Sequence, residues 1–136
     1  MSNRRLYLVI SEEACKGRDL VSVATAAVKG GVDMVQLREK HLDNTAFLER
    51  ALRLKEALVP FRVPLVINDN LWVAQQCGAT GIHVGNSDLP PLSIRAQWPS
   101  CGILGYSIEY EKQVYTADAA AADYLALSPV FATPTK

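Results

Sequence analysis

The chain has 136 residues, 49% hydrophobic and 21% charged, and its 14 basic and 14 acidic side chains give a formal net charge of zero. That length suffices for one domain with an apolar core, the charge balance lacks the basic excess of a nucleic-acid binder, and no apolar run is long enough to span a bilayer. Cys15, Cys77 and Cys101 are widely spaced and form no Cys-x-x-Cys pair, so reduced thiols in or near the core are expected rather than a zinc site or a disulfide framework.

The first segment, Met1 to Arg5 followed by Leu6 to Ile10, is too short for a signal peptide and runs directly into Glu12 and Glu13, which points to the cytoplasm. Leu6 to Ile10 reads as a buried strand. Asp19 can cap a helix with Leu20, Val23, Ala24, Ala27 and Val28 on one face, stopped by Gly30-Gly31. Met34 to Leu37 is a second strand. Asp43 can cap a helix through Leu58 whose apolar stripe is Phe47, Ala51, Leu54 and Leu58, with Glu49 and Arg53 paired on the outer side. Strand three, Pro64 to Ile67, precedes a short helix ending before Gly78, and Gly81 to Val84 is strand four. Pro90-Pro91 opens another helix. Ile103 to Tyr106 is strand five, Glu109 to Ala120 is alanine-rich and reads as helix, and Tyr124 to Leu127 is strand six.

Strands apolar on both faces, alternating with helices, imply a parallel sheet with helical crossovers. A doubly wound open sheet and the first part of an eight-stranded barrel both fit. Ser11-Glu12-Glu13 stands where the first would carry its glycine-rich turn, which favours the barrel. A complete barrel needs roughly 200 residues or more. The expectation is therefore an α/β chain, residues 1–136 forming a single domain, that holds about the first six units of a (β/α)₈ TIM barrel, with two more units following Lys136 and the edges of strands one and six left apolar.

Polar clusters stand at the ends of these strands, where parallel α/β proteins build active sites. Gln36, Arg38 and Lys40 share one side of strand two, since alternate residues project together. Arg38 as a planar fork and Lys40 as a point charge can bracket a phosphate or diphosphate; otherwise they are a solvated strand end with Glu39 as counter-ion. Asp69 and Asp88 follow neighbouring strands and can share one Mg²⁺ together with substrate phosphates and water, although Asp88 could equally cap the helix at Pro90-Pro91. Asn70 reads as a helix cap. His83 is either a packed core group or a substrate contact, and His41 lies on the surface. Ser107 can donate to a phosphate oxygen. Thr133, Thr135 and Lys136 belong to a loop over the pocket.

Four segments in order, Met34 to Lys40, Pro64 to Asn70, Gly81 to Asp88 and Ser128 to Lys136, make the chain resemble the thiamine phosphate synthase (thiamine-phosphate pyrophosphorylase) family from Leu6 to its last residue. The resemblance implies an enzyme, a transferase of thiamine biosynthesis. It joins hydroxymethylpyrimidine diphosphate to hydroxyethylthiazole phosphate, with Mg²⁺ as cofactor, giving thiamine monophosphate and diphosphate. The diphosphate leaves first and the thiazole nitrogen then attacks the pyrimidine methylene cation. It implies that Gln36 contacts the pyrimidine, that His83 lines its pocket, and that Arg38, Lys40, Asn68, Ser107 and Lys136 hold the diphosphate. Asp69 and Asp88 would bind Mg²⁺, and Thr133 and Thr135 would approach the thiazole phosphate. Arg38, Lys40, Ser107 and Lys136 thus carry the catalytic roles. The partners are small molecules, with homo-oligomers left open. Asn86 and Tyr106 depart from the family pattern, and Tyr106 is expected to face the helices. The rival readings are a metal-free thiazole tautomerase on the same barrel, which needs neither the acid pair nor Lys40, and an inactive partial barrel that binds phosphate ligands.

Overall fold

Short polar side chains placed just ahead of the apolar runs start the helices. In a computed structural model, which describes residues 6–86 and 88–127, Asp19 accepts a hydrogen bond from Ser22 N at 3.0 Å and begins α1 (Leu20–Lys29). Asp43 accepts from Ala46 N at 2.8 Å and begins α2 (Asn44–Leu58). Asn70 accepts from Val73 N at 2.9 Å and begins α3 (Leu71–Cys77). Each cap satisfies an amide that the helix cannot. Proline at the first turn opens α4 (Pro91–Gln97), with Pro90 at its cap position. The stretch expected as one helix from Glu109 to Ala120 is divided. Glu111–Tyr115 forms a 3₁₀ turn, and Thr116, extended at ψ 160°, starts the short α5 (Ala117–Ala121) by accepting from Ala119 N. A threonine that caps the turn after it starts the alanine run as a helix of its own, separate from the residues before it.

The strands are β1 (Tyr7–Ile10), β2 (Met34–Leu37), β3 (Leu65–Asn68), β4 (Gly81–Val84), β5 (Ile103–Ile108) and β6 (Tyr124–Leu127). All pair in parallel in the order β1-β2-β3-β4-β5-β6. The order never reverses, so the sheet has no switch point of the doubly wound kind. It is also curled. Six flat strands would hold β1 and β6 about 24 Å apart at ordinary strand spacing, yet the Tyr7 and Tyr124 hydroxyls, one from each, lie 2.5 Å apart. The described chain is thus a half-barrel of six parallel strands.

Two apolar layers follow from the two strand faces. On the outside, Val35, Leu37, Ile67, Ile82, Val84 and Leu104 pack against the helix stripe of Leu20, Ala24, Phe47, Ala51, Leu54 and Leu58. Tyr106 belongs to this outer core, as expected. On the inside, Met34, Val66 and Ile103 form a small plug with Tyr7 and Tyr124 packed on it. The plug floors the enclosure and leaves the layer above it to polar groups. Leu125 and Leu127 on β6 are exposed. The three cysteines are buried and unpaired, and among the described residues no helix is long and apolar enough to cross a membrane.

Candidate active site

Directly above the apolar plug, the inward positions of β2, β3 and β4 carry Gln36, Asn68 and His83, the buried polar residues of the described chain. They floor a cavity of about 590 Å³ that opens at the C-terminal ends of the strands. All eight candidate residues within the described chain line it: Gln36, Arg38, Lys40, Asn68, Asp69, His83, Asp88 and Ser107. Thr133, Thr135 and Lys136 lie outside the described residues. A neighbouring cavity of about 550 Å³ over the β1 and β2 loops shares Arg38 and Lys40. His41 is exposed, as expected.

Asp69 reaches the cavity through an unusual turn. Its φ is +67°, and Asn70 N donates to Asn68 O at 2.8 Å, so Asp69 is the centre of a three-residue turn. A positive φ in such a γ-turn is a strained conformation for a residue with a Cβ, and residues held this way gather at functional sites. The Asp69 carboxylate pairs with Lys40 Nζ. Asp88 accepts from Gly85 N at 2.8 Å and makes no cap to α4, whose N-cap bond is absent. Burial raises the Asp88 pKa, and so does hydrogen bonding to the Asp69 carboxyl group, against the Gly85 amide and Lys40, which lower it. Asp69 and Asp88, at the ends of neighbouring strands, line the same cavity.

Among the described residues no group of three or more His, Cys, Asp or Glu side chains could hold a metal ion. The donor set still fits a hard cation that keeps water and substrate oxygens. Asp69 and Asp88 supply two carboxylates. Asn68 Oδ1, one residue away on the same cavity wall, is buried without a hydrogen-bond partner. An orphaned buried acceptor beside two carboxylates suits a cation. Asn68 can reach a phosphate oxygen only through its second Nδ2 hydrogen, because its first donates to Gln36 Oε1 at 2.8 Å.

The polar layer is continuous. Gln36 Nε2 donates to Tyr7 OH at 2.7 Å. Tyr7 OH meets Tyr124 OH at 2.5 Å, Tyr124 OH meets His83 Nδ1 at 2.9 Å, and His83 Nε2 meets Ser107 Oγ at 2.6 Å. Burial lowers the His83 pKa; Asp69 opposes this and Lys40 adds to it. Burial also raises both tyrosines, more strongly at Tyr124. Tyr7 and Tyr124 were not anticipated as site residues. The available signal was a phenol on an apolar strand, which needs a partner for its O–H once buried. Gly105 makes the arrangement fit: a Cβ there would overlap both the Tyr124 ring and His83 Nδ1.

Comparison with known proteins decides the family. The model of the thiamine monophosphate synthase family matches residues 6–136. The chain belongs to the thiamine monophosphate synthase family. It is 48% identical over 132 residues to the thiamine-phosphate synthase of Albidiferax ferrireducens, covering 97% of this chain and 60% of that protein. Identity to the thiamine-phosphate synthase of Vibrio campbellii is 47% over 139 residues, covering 100% of this chain and 66% of the relative. The chain thus spans about 60–66% of the length of these relatives. The fold matches that of thiamine phosphate pyrophosphorylase from Pyrococcus furiosus with a TM-score of 0.80 at 24% identity, over 93% of this chain and 61% of that one. Within this thiamine monophosphate synthase family member, Asn86, expected to depart from the family pattern, makes a structural contact. Its Oδ1 accepts from Gln113 Nε2 at 2.7 Å and ties the β4 loop to the 3₁₀ turn after β5.

Proposed function

We propose that this chain supplies the diphosphate and metal half of a thiamine phosphate synthase, which couples hydroxymethylpyrimidine diphosphate to hydroxyethylthiazole phosphate and releases diphosphate. The observation that carries this reading is the convergence of Arg38 and Lys40 with Asp69 and Asp88 on one cavity whose floor is neutral and hydrogen-bonding. Cations and an acid pair at one mouth suit a polyphosphate bound with a hard cation. The neutral floor of Gln36, His83 and Asn68 suits a flat heterocycle with its own donors and acceptors. The consecutive strand order and the curl support a complete (β/α)₈ barrel in the whole enzyme, with these six strands as its first six. The three buried, unpaired thiols suit the reducing cytoplasm.

C–O cleavage builds negative charge on the departing diphosphate, so groups fixed where that charge develops favour the transition state over the ground state. Arg38 offers a bidentate fork, and no ion pair engages it among the described residues. Lys40 adds a point charge, and Ser107 adds a hydroxyl donor. Asp69 and Asp88 would hold Mg²⁺, which supplies neutralisation of the leaving group when bound. Thr133, Thr135 and Lys136 are assigned to the thiazole phosphate and the diphosphate on the family pattern. No general base is required to break the bond, and the cationic pyrimidine fragment needs shelter from water, which a closed barrel mouth provides.

The acid pair favours this reading over a metal-free tautomerase. Calorimetric titration with inorganic pyrophosphate, with and without Mg²⁺, tests it. Binding should strengthen on adding Mg²⁺, and Asp69→Asn or Asp88→Asn should remove that gain. Pyrophosphate binding indifferent to Mg²⁺, or thiazole tautomerisation unaffected by a chelator, would overturn it.

A further inference from the structure

Each of the six strands contributes one member to the hydrogen-bonded chain Asn68, Gln36, Tyr7, Tyr124, His83, Ser107. Hydrogen counting gives this chain a direction. Asn68 Nδ2 donates to Gln36 Oε1, and Gln36 Nε2 donates to Tyr7 OH. Tyr7 accepts there, and its own hydrogen has Tyr124 OH as its partner. The Tyr124 hydrogen in turn has His83 Nδ1. A ring nitrogen that accepts carries no hydrogen, so the hydrogen of neutral His83 sits on Nε2 and faces Ser107 Oγ. Ser107, having accepted, keeps its own hydrogen for the cavity.

We propose that Tyr7 and Tyr124 are positioning residues whose phenols fix His83 as the Nε2–H tautomer, and that this leaves the Ser107 hydroxyl hydrogen aimed at an anion in the cavity. The two ends of the chain match their surroundings. The acceptor end, Asn68 Oδ1, lies one residue from Asp69, where a cation fits. The donor end, Ser107, lines the cavity that Arg38 and Lys40 make anion-seeking. The opposite direction requires either that Tyr7 OH accept from both Gln36 Nε2 and Tyr124 OH, leaving its own buried hydrogen without a partner in the chain, or that both amides be turned over. Either would set a bare Ser107 lone pair against the anion, and the second would also set an amide N–H₂ beside the acid pair's cation, unfavourable at both ends. Gly105 belongs to the same device, since only a residue without Cβ lets the Tyr124 ring reach His83 Nδ1.

The role of Ser107 rests on the proposed reading of the cavity as a diphosphate site; the tautomer does not. The test uses the chain with ¹⁵N-labelled histidine. It has only two histidines, so His41→Gln assigns the remaining ring. At about pH 8, above the ordinary histidine pKa, His83 should show a protonated Nε2 and an unprotonated, hydrogen-bonded Nδ1. Tyr124→Phe should mix the two tautomers and weaken inorganic pyrophosphate binding about tenfold, as Ser107→Ala does. The double variant should lose little more than either single one, because both cut the same chain. Should Tyr124→Phe fail to fold, Tyr7→Phe breaks the preceding link and should give the same spectrum. A protonated Nδ1 in the wild type, or an Nε2–H ring unchanged by both phenylalanine variants, overturns the proposal. Additive losses in Tyr124→Phe/Ser107→Ala also overturn it. Absence of pyrophosphate binding in the wild type, with the Nε2–H ring responding to Tyr124→Phe, sinks the diphosphate reading and supports the relay.

Discussion

The hydroxyls of Tyr7 and Tyr124 lie 2.5 Å apart although the residues belong to the first and last strands of the sheet, and their rings meet edge to face with centroids 5.6 Å apart. This contact spans the enclosure and ties its two edges together. The space for it comes from Gly105, the neighbour of Tyr124 in the β5–β6 register. Gly105→Ala inserts a methyl group where the Tyr124 ring and His83 Nδ1 already sit. Overpacking of this kind costs about 1–3 kcal/mol. The variant should unfold at lower urea than wild type and show a displaced tyrosine environment by near-ultraviolet circular dichroism. A stability equal to wild type would mean that the β5–β6 edge yields without cost.

Asp69 sets function against stability. Its positive φ strains any residue with a Cβ, and glycine relieves that strain by about 1 kcal/mol. The Asp69–Lys40 pair is partly exposed, with side chains 26% and 40% accessible, so losing it costs little. Asp69→Gly should therefore raise the urea midpoint while abolishing any Mg²⁺-dependent gain in pyrophosphate affinity. Asp69→Asn, which tolerates the same backbone, should show the functional loss with a smaller gain in stability.

Much of this site was legible in the sequence because it obeys local rules. Strand alternation put Gln36 and Arg38 on one side, and the succession of β and α signals put Asp69 and Asp88 at neighbouring strand ends. Three helix caps, Asp19, Asp43 and Asn70, were readable from a short polar residue ahead of an apolar stripe. What could not be read depends on closure. Tyr7 and Tyr124 are 117 positions apart, and nothing local says that a phenol at each end of the sheet will meet. Thr116 was overlooked because alanine propensity extends the helix, whereas a hydroxyl that accepts from Ala119 N starts a new one. The choice between a cap and a cavity ligand at Asp88 also needed the structure, because Pro90 takes the cap position and Gly85 N takes the carboxylate.

His83 makes stability depend on pH in a definite direction. Its folded pKa lies below the ordinary 6.5, chiefly through burial. The unfolded chain therefore binds more protons between that value and the lowered one, and stability falls as pH drops through this window. Above 6.5 the contribution is fully present. Asp88 acts with the opposite sign, since its raised folded pKa makes stability decline as pH rises from 3.8 toward that value. Urea midpoints between about pH 8 and pH 5.5, spanning the ordinary histidine range, should fall in wild type and flatten in His83→Gln. An unchanged slope in that variant would assign the acid sensitivity to other groups.

Lys40 stands between two roles, since it pairs with Asp69 and also lines the cavity with Arg38. In the first role it competes with a metal ion for the Asp69 carboxylate; in the second it attracts the phosphate. Lys40→Met keeps the aliphatic stem and removes the one charge that serves both roles. The carboxylates of Asp69 and Asp88 then share the cavity without the ammonium paired to Asp69, which favours a divalent ion beside them. Affinity for Mg²⁺ alone should therefore rise, by about three- to tenfold for a change near 1 kcal/mol. Affinity for pyrophosphate should fall by a similar factor or more, because a charge-assisted contact is lost. Arg38→Met, which leaves the Lys40–Asp69 pair intact, should weaken pyrophosphate binding without strengthening the metal. Two calorimetric titrations on each variant separate the roles, and a fall in both affinities for Lys40→Met would show that its pairing with Asp69 helps to build the cation site instead of competing for it.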